Sequence, residues 1–306
     1  MKRKGKISRR YSVNPHEIFV SVISWEDRFL LGLQNHLRQN NISGVVFFRF
    51  EEYLDRTAKN AEAAFALCKD VGIVPICEVI SFGDQVVSWK KIFRTISKVE
   101  PIGKKFTIDI TTMPRETIWT LLNLLDISGV QLRCVYSQPN TYESWLSRDP
   151  AKPRIPFKLG GIPDLDKPKS LLMTTGFSPD RALQLIEFYE PKEIFIAVQA
   201  GEQFENRKRN IDNNEEVLRN YSDVHYFEID AYDRGTCYQI LKEKVSTIVE
   251  SSNLIMSSLG PKLSAIDLYK IHKDFENTAL AYTPSNEYNT VYSSGIRETI
   301  TDVIRN

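Results

Sequence analysis

Along most of the chain, short apolar runs rich in β-branched residues alternate with longer stretches whose apolar positions recur at helical spacing. IFVSVIS gives way to WEDRFLLGLQNHL, and KKFTIDI gives way through TTMPR to ETIWTLLNLL. The pattern predicts strands near 18–23, 44–50, 73–80, 105–110 and 130–137, separated by helices near 26–38, 55–70, 86–98 and 114–127. A second series predicts strands near 170–175, 193–199, 224–231, 253–258 and 277–282, again with helices between them. Continuously apolar strands that alternate with helices belong in parallel sheets, because right-handed crossovers lay helices on both faces.

The second series repeats landmarks of the first. Each opening strand leads into a helix with Asp-Arg in its first turn, at Asp27-Arg28 and Asp180-Arg181. Each fourth strand ends in a polar turn with a proline and a cation, Thr111-Thr112-Met113-Pro114-Arg115 and Ser257-Ser258-Leu259-Gly260-Pro261-Lys262. The last strands close with CVYSQPN and LAYTPSN, aligning Tyr136 with Tyr282 and Asn140 with Asn286. Spacings between the matched residues differ only by loop-sized amounts, as an internal duplication requires. The expected fold class is α/β: two tandem Rossmann-like, doubly wound parallel-sheet domains related by duplication and packed as a pseudo-dimer.

The expected organisation is a basic arm over 1–16, a first repeat over 17–145, a joining segment over 146–168 and a second repeat over 169–306. Pro and Gly crowd the joining segment and break helix and strand there. The turn-rich TPSNEYNTVYSSG follows Tyr282, and the final IRETITDVIRN is read as a short closing helix. With 42% hydrophobic and 26% charged residues among 306, the chain has globular composition, and its formal net charge of +1 argues against a surface that is a polyanion-binding field as a whole. A nucleotide site must then be local. The start MKRKGKISRR reads as a solvated arm, the one segment open to direct nucleic-acid contact. No apolar stretch follows it to make a signal peptide, and no run is long enough to span a membrane. Cys68, Cys77, Cys134 and Cys237 show no metal-ligand spacing and read as buried thiols of a cytoplasmic protein.

In an open α/β sheet, ligands sit outside the carboxyl ends of the strands. The repeated turns lie at those ends, where helix N-termini present unpaired N–H groups suited to phosphate. Arg115 and Lys262, with Arg28 and Arg181, would add charge and donors. Thr111, Thr112, Thr175, Ser257, Ser258 and Gly260 are candidate contacts within the turns, and Tyr136 and Tyr282 close strands into the same region. A structural reading stands beside this one. Thr112 and Ser258 would cap helices, Ser24 with Asp27 resembles a capping box, and a salt bridge to the adjoining Asp or to Asp109 would occupy Arg28. Trp25 and Phe177 occupy comparable turn positions, suited to stacking on a base or to core packing.

The phosphate loop, dinucleotide fingerprint, nucleophile elbow and zinc-protease signatures are all absent, and His16, His36, His225 and His272 are not spaced as metal ligands. No metal and no cofactor is expected. Asp109, at the tip of the fourth strand, is the most plausible acidic group for chemistry; its counterpart in the second half is Met256.

At these turns the chain resembles the CRISPR-associated Rossmann-fold (CARF) sensors and the related SAVED domains. In those families a polar turn with Gly, Thr or Ser and a Lys or Arg, opening a helix after a late strand, contacts a cyclic oligonucleotide. Ser257 to Ser264 looks like that turn, and Thr111 to Arg115 like a degenerate copy without the family's glycines. The turns around Ser24 and Thr175 match the other ligand-contacting loop, and SAVED domains are understood as two CARF-like halves in one chain. The resemblance implies a nucleotide sensor in antiviral signalling. With both halves used up by α/β repeats, its output is expected in a partner chain or in self-assembly. The alternatives are a nucleotide- or nucleoside-processing hydrolase, a phosphodiesterase or N-glycosidase using Asp109, and a scaffold whose turns only cap helices.

Overall fold

A computed structural model describes residues 17–99, 105–176, 179–200, 215 and 218–305. The basic arm at 1–16, His16, Phe177 and Ser178 lie outside the described residues.

The first sheet is built from β1 (Glu17–Val22), β2 (Ile42–Phe50), β3 (Ile76–Ile80), β4 (Lys105–Asp109) and β5 (Gln131–Gln138). Helices α1 (Asp27–Gln39), α2 (Leu54–Asp70), α3 (Gln85–Val99) and α4 (Arg115–Ser128) connect them. All six residues of β1 are buried, as a central strand covered on both faces requires. The second sheet is built from β8 (Lys169–Thr174), β9 (Glu193–Gln199), β10 (Val224–Ile229), β11 (Asn253–Ser258) and β12 (Thr278–Leu280), with helices α5 (Pro179–Tyr189), α6 (Arg234–Ser251) and α7 (Lys262–Asp274). The neighbour orders are β3-β2-β1-β4-β5 and β10-β9-β8-β11-β12, parallel throughout. Counted within its own half, each sheet therefore runs 3-2-1-4-5, the Rossmann-like order, and switches direction between its first and fourth strands.

The expected closing helix is instead a strand, β15 (Glu298–Arg305), antiparallel on β5. ETITDVIR is rich in Thr, Ile and Val, and the side chains of Ile300, Asp302 and Ile304 are less exposed than their neighbours. That period of two fits a sheet edge, and an available edge outweighs weak helix propensity. Arg234 fastens the strand by pairing with Asp302 at 2.6 Å and Asp267 at 2.7 Å. The segment after β5 makes the reciprocal move: Arg154 bridges Tyr282 antiparallel, and Leu159 O accepts from Leu280 N at 3.0 Å. Each half is thus edged by backbone that has crossed from the other.

The crossing itself is ordered. β6 (Thr141–Tyr142) pairs with β14 (Ser293–Ser294), and β7 (Ser147–Pro150) pairs with β13 (Ser285–Tyr288), both antiparallel and in the same register. These stretches, read as turn and joining segment from sequence, form one interrupted ribbon across the strand ends. Three thiols are buried as expected, but Cys77, on edge strand β3, is exposed.

One apolar cluster runs through both halves, with Trp119 of α4 wholly buried in it. Trp119 Nε1 donates to Ala265 O at 2.8 Å, and Tyr269 OH donates to Asp126 at 3.3 Å, so α4 and α7 are locked by directional bonds as well as by packing. Replacing Trp119 by Ala is expected to cost about 3–5 kcal/mol of unfolding free energy. Because the core is shared, urea unfolding should show one transition for both halves; two separated transitions would contradict the shared core.

Candidate functional site

The carboxyl ends of the two sheets' central strands face one another beneath the ribbon, and two adjoining cavities lie there. Their empty volumes are about 680 and 640 Å³, solvent mouths included. Arg115, Arg181, Lys262 and Tyr292 line both. Arg28, Thr111, Thr175, Gly260 and Tyr136 line the smaller one, while Thr112 and Tyr282 line the larger. Most of the residues singled out from sequence are therefore brought together, from both halves.

Each turn's cation reaches the opposite turn. Lys262 Nζ donates to Thr111 O at 2.7 Å, Arg115 Nε donates to Ser258 Oγ at 3.1 Å, and another Arg115 nitrogen donates to Gly260 O. The pair at the opening helices behaves alike. Arg28 binds Ser293 Oγ and Ser137 O, each at 2.8 Å, and Arg181 binds Ser285 Oγ and Ser147 Oγ, each at 2.9 Å. Both arginines thus hold the ribbon. Only Arg28 has a carboxylate, Glu26 at 2.7 Å, rather than Asp27 or Asp109. Arg115, Arg181 and Lys262 pair with no carboxylate among the described residues.

Among the described residues, Glu26 is the sole acidic one lining either cavity, against four cations. The tyrosines do not offset the excess: burial pushes Tyr142 and Tyr282 well up and Tyr292 up to about 12, leaving all three neutral. The cost falls on the cations. Burial, with Arg181 beside it, pulls Arg115 down, and burial pulls Lys262 down to about 7, Arg28 and Arg115 adding to the effect and Glu26 opposing it. Lys262 spends one of its three donors on Thr111, so its ammonium retains two for an anion.

The capping reading is not realised. The N-cap positions of α4 and α7 are Pro114 and Pro261, with no side-chain cap, since Thr112 Oγ1 donates to Val22 O and Ser258 Oγ bonds Ser264 Oγ at 2.9 Å. Ser24 Oγ accepts from Glu26 N at 3.2 Å and is not the cap of α1. Ser257 and Ser258 lie under the turn, outside both cavities; Ser257 Oγ donates to Ala281 O at 2.9 Å. Gly176 and Gly260 let two turns meet backbone to backbone, for a Cβ on either would overlap Leu259 O or Thr175 O.

Asp109 lies outside the cavities. Its carboxylate is buried beside α1, accepting from Thr111 N at 2.9 Å and Ser21 Oγ at 3.5 Å, and burial raises its pKa. It shapes the first turn and is not positioned to touch a ligand. Sequence reasoning passed over Tyr142 and Tyr288, although each stands six residues after Tyr136 or Tyr282, with Asn between. That repeated spacing was the available signal. It places the hydroxyls of Tyr136 and Tyr142 3.0 Å apart.

No protein-family model matches the chain, and no curated protein does. Solved structures similar to it include a universal stress protein from Archaeoglobus fulgidus DSM 4304, 12% identical over 86% of this chain and 94% of that one, with a TM-score of 0.28. Shikimate 5-dehydrogenase from Listeria monocytogenes, in complex with shikimate and NAD, is 11% identical over 90% of this chain and 89% of that one, with a TM-score of 0.24. The Rossmann-like assignment stands on the strand order above. No described helix is long and apolar enough to cross a membrane, and no group of three His, Cys, Asp or Glu among the described residues is disposed to hold a metal ion.

The depressed Lys262 has a stability consequence. Between about pH 7 and its ordinary value of 10.5, the unfolded chain carries a proton on Lys262 that the folded chain lacks. Stability from this group therefore rises with pH across that window and is level on either side. The unfolding free energy of the protein minus that of Lys262→Met should climb from pH 7 to 10.5; a flat difference would show that the ammonium is not confined.

Proposed function

We propose that this protein is a nucleotide-binding module that holds the phosphate groups of its ligand at the junction of the two halves. The observation that carries the reading is the unbalanced charge: three cations without carboxylate partners among the described residues converge under one roof, from both sheets, at the strand ends. Buried charge is tolerated where it is paired, so an unbalanced cluster of this kind is costly and an anion relieves the cost. Phosphate suits the donors present, which are guanidinium forks, an ammonium and two uncapped helix N-termini. The matching strand orders support descent of the halves by duplication, with the pseudo-dimer boundary in the crossing segments. Cyclic oligonucleotides, an antiviral setting, a cytoplasmic location and output through a partner chain or self-assembly are the finer proposals, and they rest on the resemblance to CARF and SAVED sensors. Hydrolysis is not favoured, because Asp109 lies outside the crevice and Glu26 is held by Arg28 and Ser293.

A melting-temperature screen against linear and cyclic nucleotides tests this reading. Ligand at about a hundred times its dissociation constant adds roughly 2.7 kcal/mol, a visible shift. The shift should be lost in Lys262→Met and Arg115→Met, and no shift with any nucleotide would refute the proposal. Affinity should also fall as pH rises above about 7, where Lys262 sheds its proton before binding. Lys262→Met should show no such slope over the range in which the phosphates keep constant charge.

A further inference from the structure

The larger cavity is walled by rings from four separate parts of the chain. Trp25 comes from the β1–α1 turn, Tyr53 from the 3-10 turn after β2, Phe82 from the β3–α3 loop, and Tyr288 from the ribbon. Trp25 and Tyr53 meet at 5.2 Å with planes 62° apart, Tyr53 and Tyr288 at 6.1 Å and 88°, and Tyr53 and Phe82 at 5.7 Å and 78°. A closed apolar core needs no mouth, yet these rings line a cavity continuous with the cationic junction, because Arg115, Arg181 and Lys262 border both spaces.

The rings are held by polar contacts that fix their attitude. Glu52 accepts from Ser81 Oγ at 2.7 Å, Phe82 N at 2.8 Å and Gly83 N at 3.2 Å, winding that loop around one carboxylate oxygen. Phe82 is thereby laid on Phe50 at 3.8 Å. Trp25 Nε1 donates to Asn289 O at 3.3 Å, and the Arg56 guanidinium lies 4.8 Å from the Trp25 ring. The ring of Tyr53 stays neutral, its hydroxyl pushed up to about 12 by burial and by Tyr288.

We infer that this aromatic cavity is the seat of the heteroaromatic base of the bound nucleotide, on the first half's side of the junction, with the attached phosphates reaching Lys262 and Arg115. The inference rests on the phosphate reading above. It assigns one occupant because charge and shape change together along the crevice, from ring faces to unpaired cations, and a nucleotide changes in the same order. Stacking tolerates any base, so the cavity supplies affinity more than base identity.

Calorimetric titration with inorganic pyrophosphate, the four nucleosides, the four nucleoside diphosphates and the cyclic homodinucleotides tests it. The expected result is binding of base-bearing phosphates about ten-fold or more tighter than pyrophosphate. That advantage should vanish in Trp25→Ala and Tyr288→Ala, while pyrophosphate binding in the same variants stays unchanged and so reports that they are folded. In the unaltered protein, ligand should quench tryptophan fluorescence, and Trp25→Phe should abolish the change. Equal affinity for pyrophosphate and nucleotides would overturn the base seat and leave the phosphate junction standing. Nucleosides binding where pyrophosphate does not would sink the phosphate reading and keep the base seat. Competition by N-acetyl-tryptophanamide as strong as by nucleoside would overturn the assignment in favour of a protein side chain, and failure of every probe would overturn both.

Discussion

The molecule is organised around a concentration of positive charge that, among the described residues, Glu26 alone offsets. Among the described residues, four cations from two sheets border one crevice with a single carboxylate, Glu26, and its oxygen is already taken by Arg28 and Ser293. Burial disfavours a charged group, and like charges gathered at low dielectric add to the cost, which is why Lys262 is pulled down to about 7 and Arg115 below its usual value. A protein of near-zero net charge has no general need for such a cluster, so the imbalance is local and tied to the crevice. What offsets it is the shared core behind: Trp119, α4 and α7 hold the two turns face to face.

The crossing segments make that placement possible. If each half kept its own tail, the strand ends would open to solvent on separate bodies. Exchange of tails, with β15 on β5 and the stretch around Arg154 on β12, forces both connections over the crevice as the ribbon. Arg28 and Arg181 then serve twice, as crevice cations and as anchors of the roof through Ser293, Ser147 and Ser285. This dual use answers the question the Asp-Arg pairs pose in the sequence. A cation in the first turn of a helix opposes the helix dipole, and here the hydrogen bonds to the roof offset that cost.

Much of this is legible in the amino-acid sequence. The ten strands, the order of elements and the convergence of Arg28, Arg115, Arg181 and Lys262 follow from hydrophobic period and repeated turns, because those signals are local. What was illegible depends on distant partners. IRETITDVIRN carries a period of two that becomes a strand only against the free edge of β5, 160 or so residues upstream along the chain. The ribbon hid in turn-rich composition, and Tyr53 and Phe82 join the site only through sheet order. Asp109 misled for a related reason: a carboxylate at a strand tip faces either the crevice or the adjoining helix, and sequence does not say which.

The two turns also show why motif likeness and geometric likeness part company. The second turn is tight because Gly176 and Gly260 let backbone meet backbone, a contact any side chain would block. The first turn lacks those glycines and reads as the poorer copy. Yet it ends in the same place, because Asp109 accepts from Thr111 N and Thr111 Oγ1 accepts from Ser137 N, so side-chain bonds do what close backbone approach does opposite. At the position of Asp109 the second half has Met256, buried and apolar, and the N–H groups of Leu259 and Gly260 in the glycine-tightened turn go to Thr174 instead. Two chemistries thus arrive at one arrangement, in which Lys262 grips Thr111 O and Arg115 grips Gly260 O, and the absence of glycines from one turn does not remove that turn from the crevice.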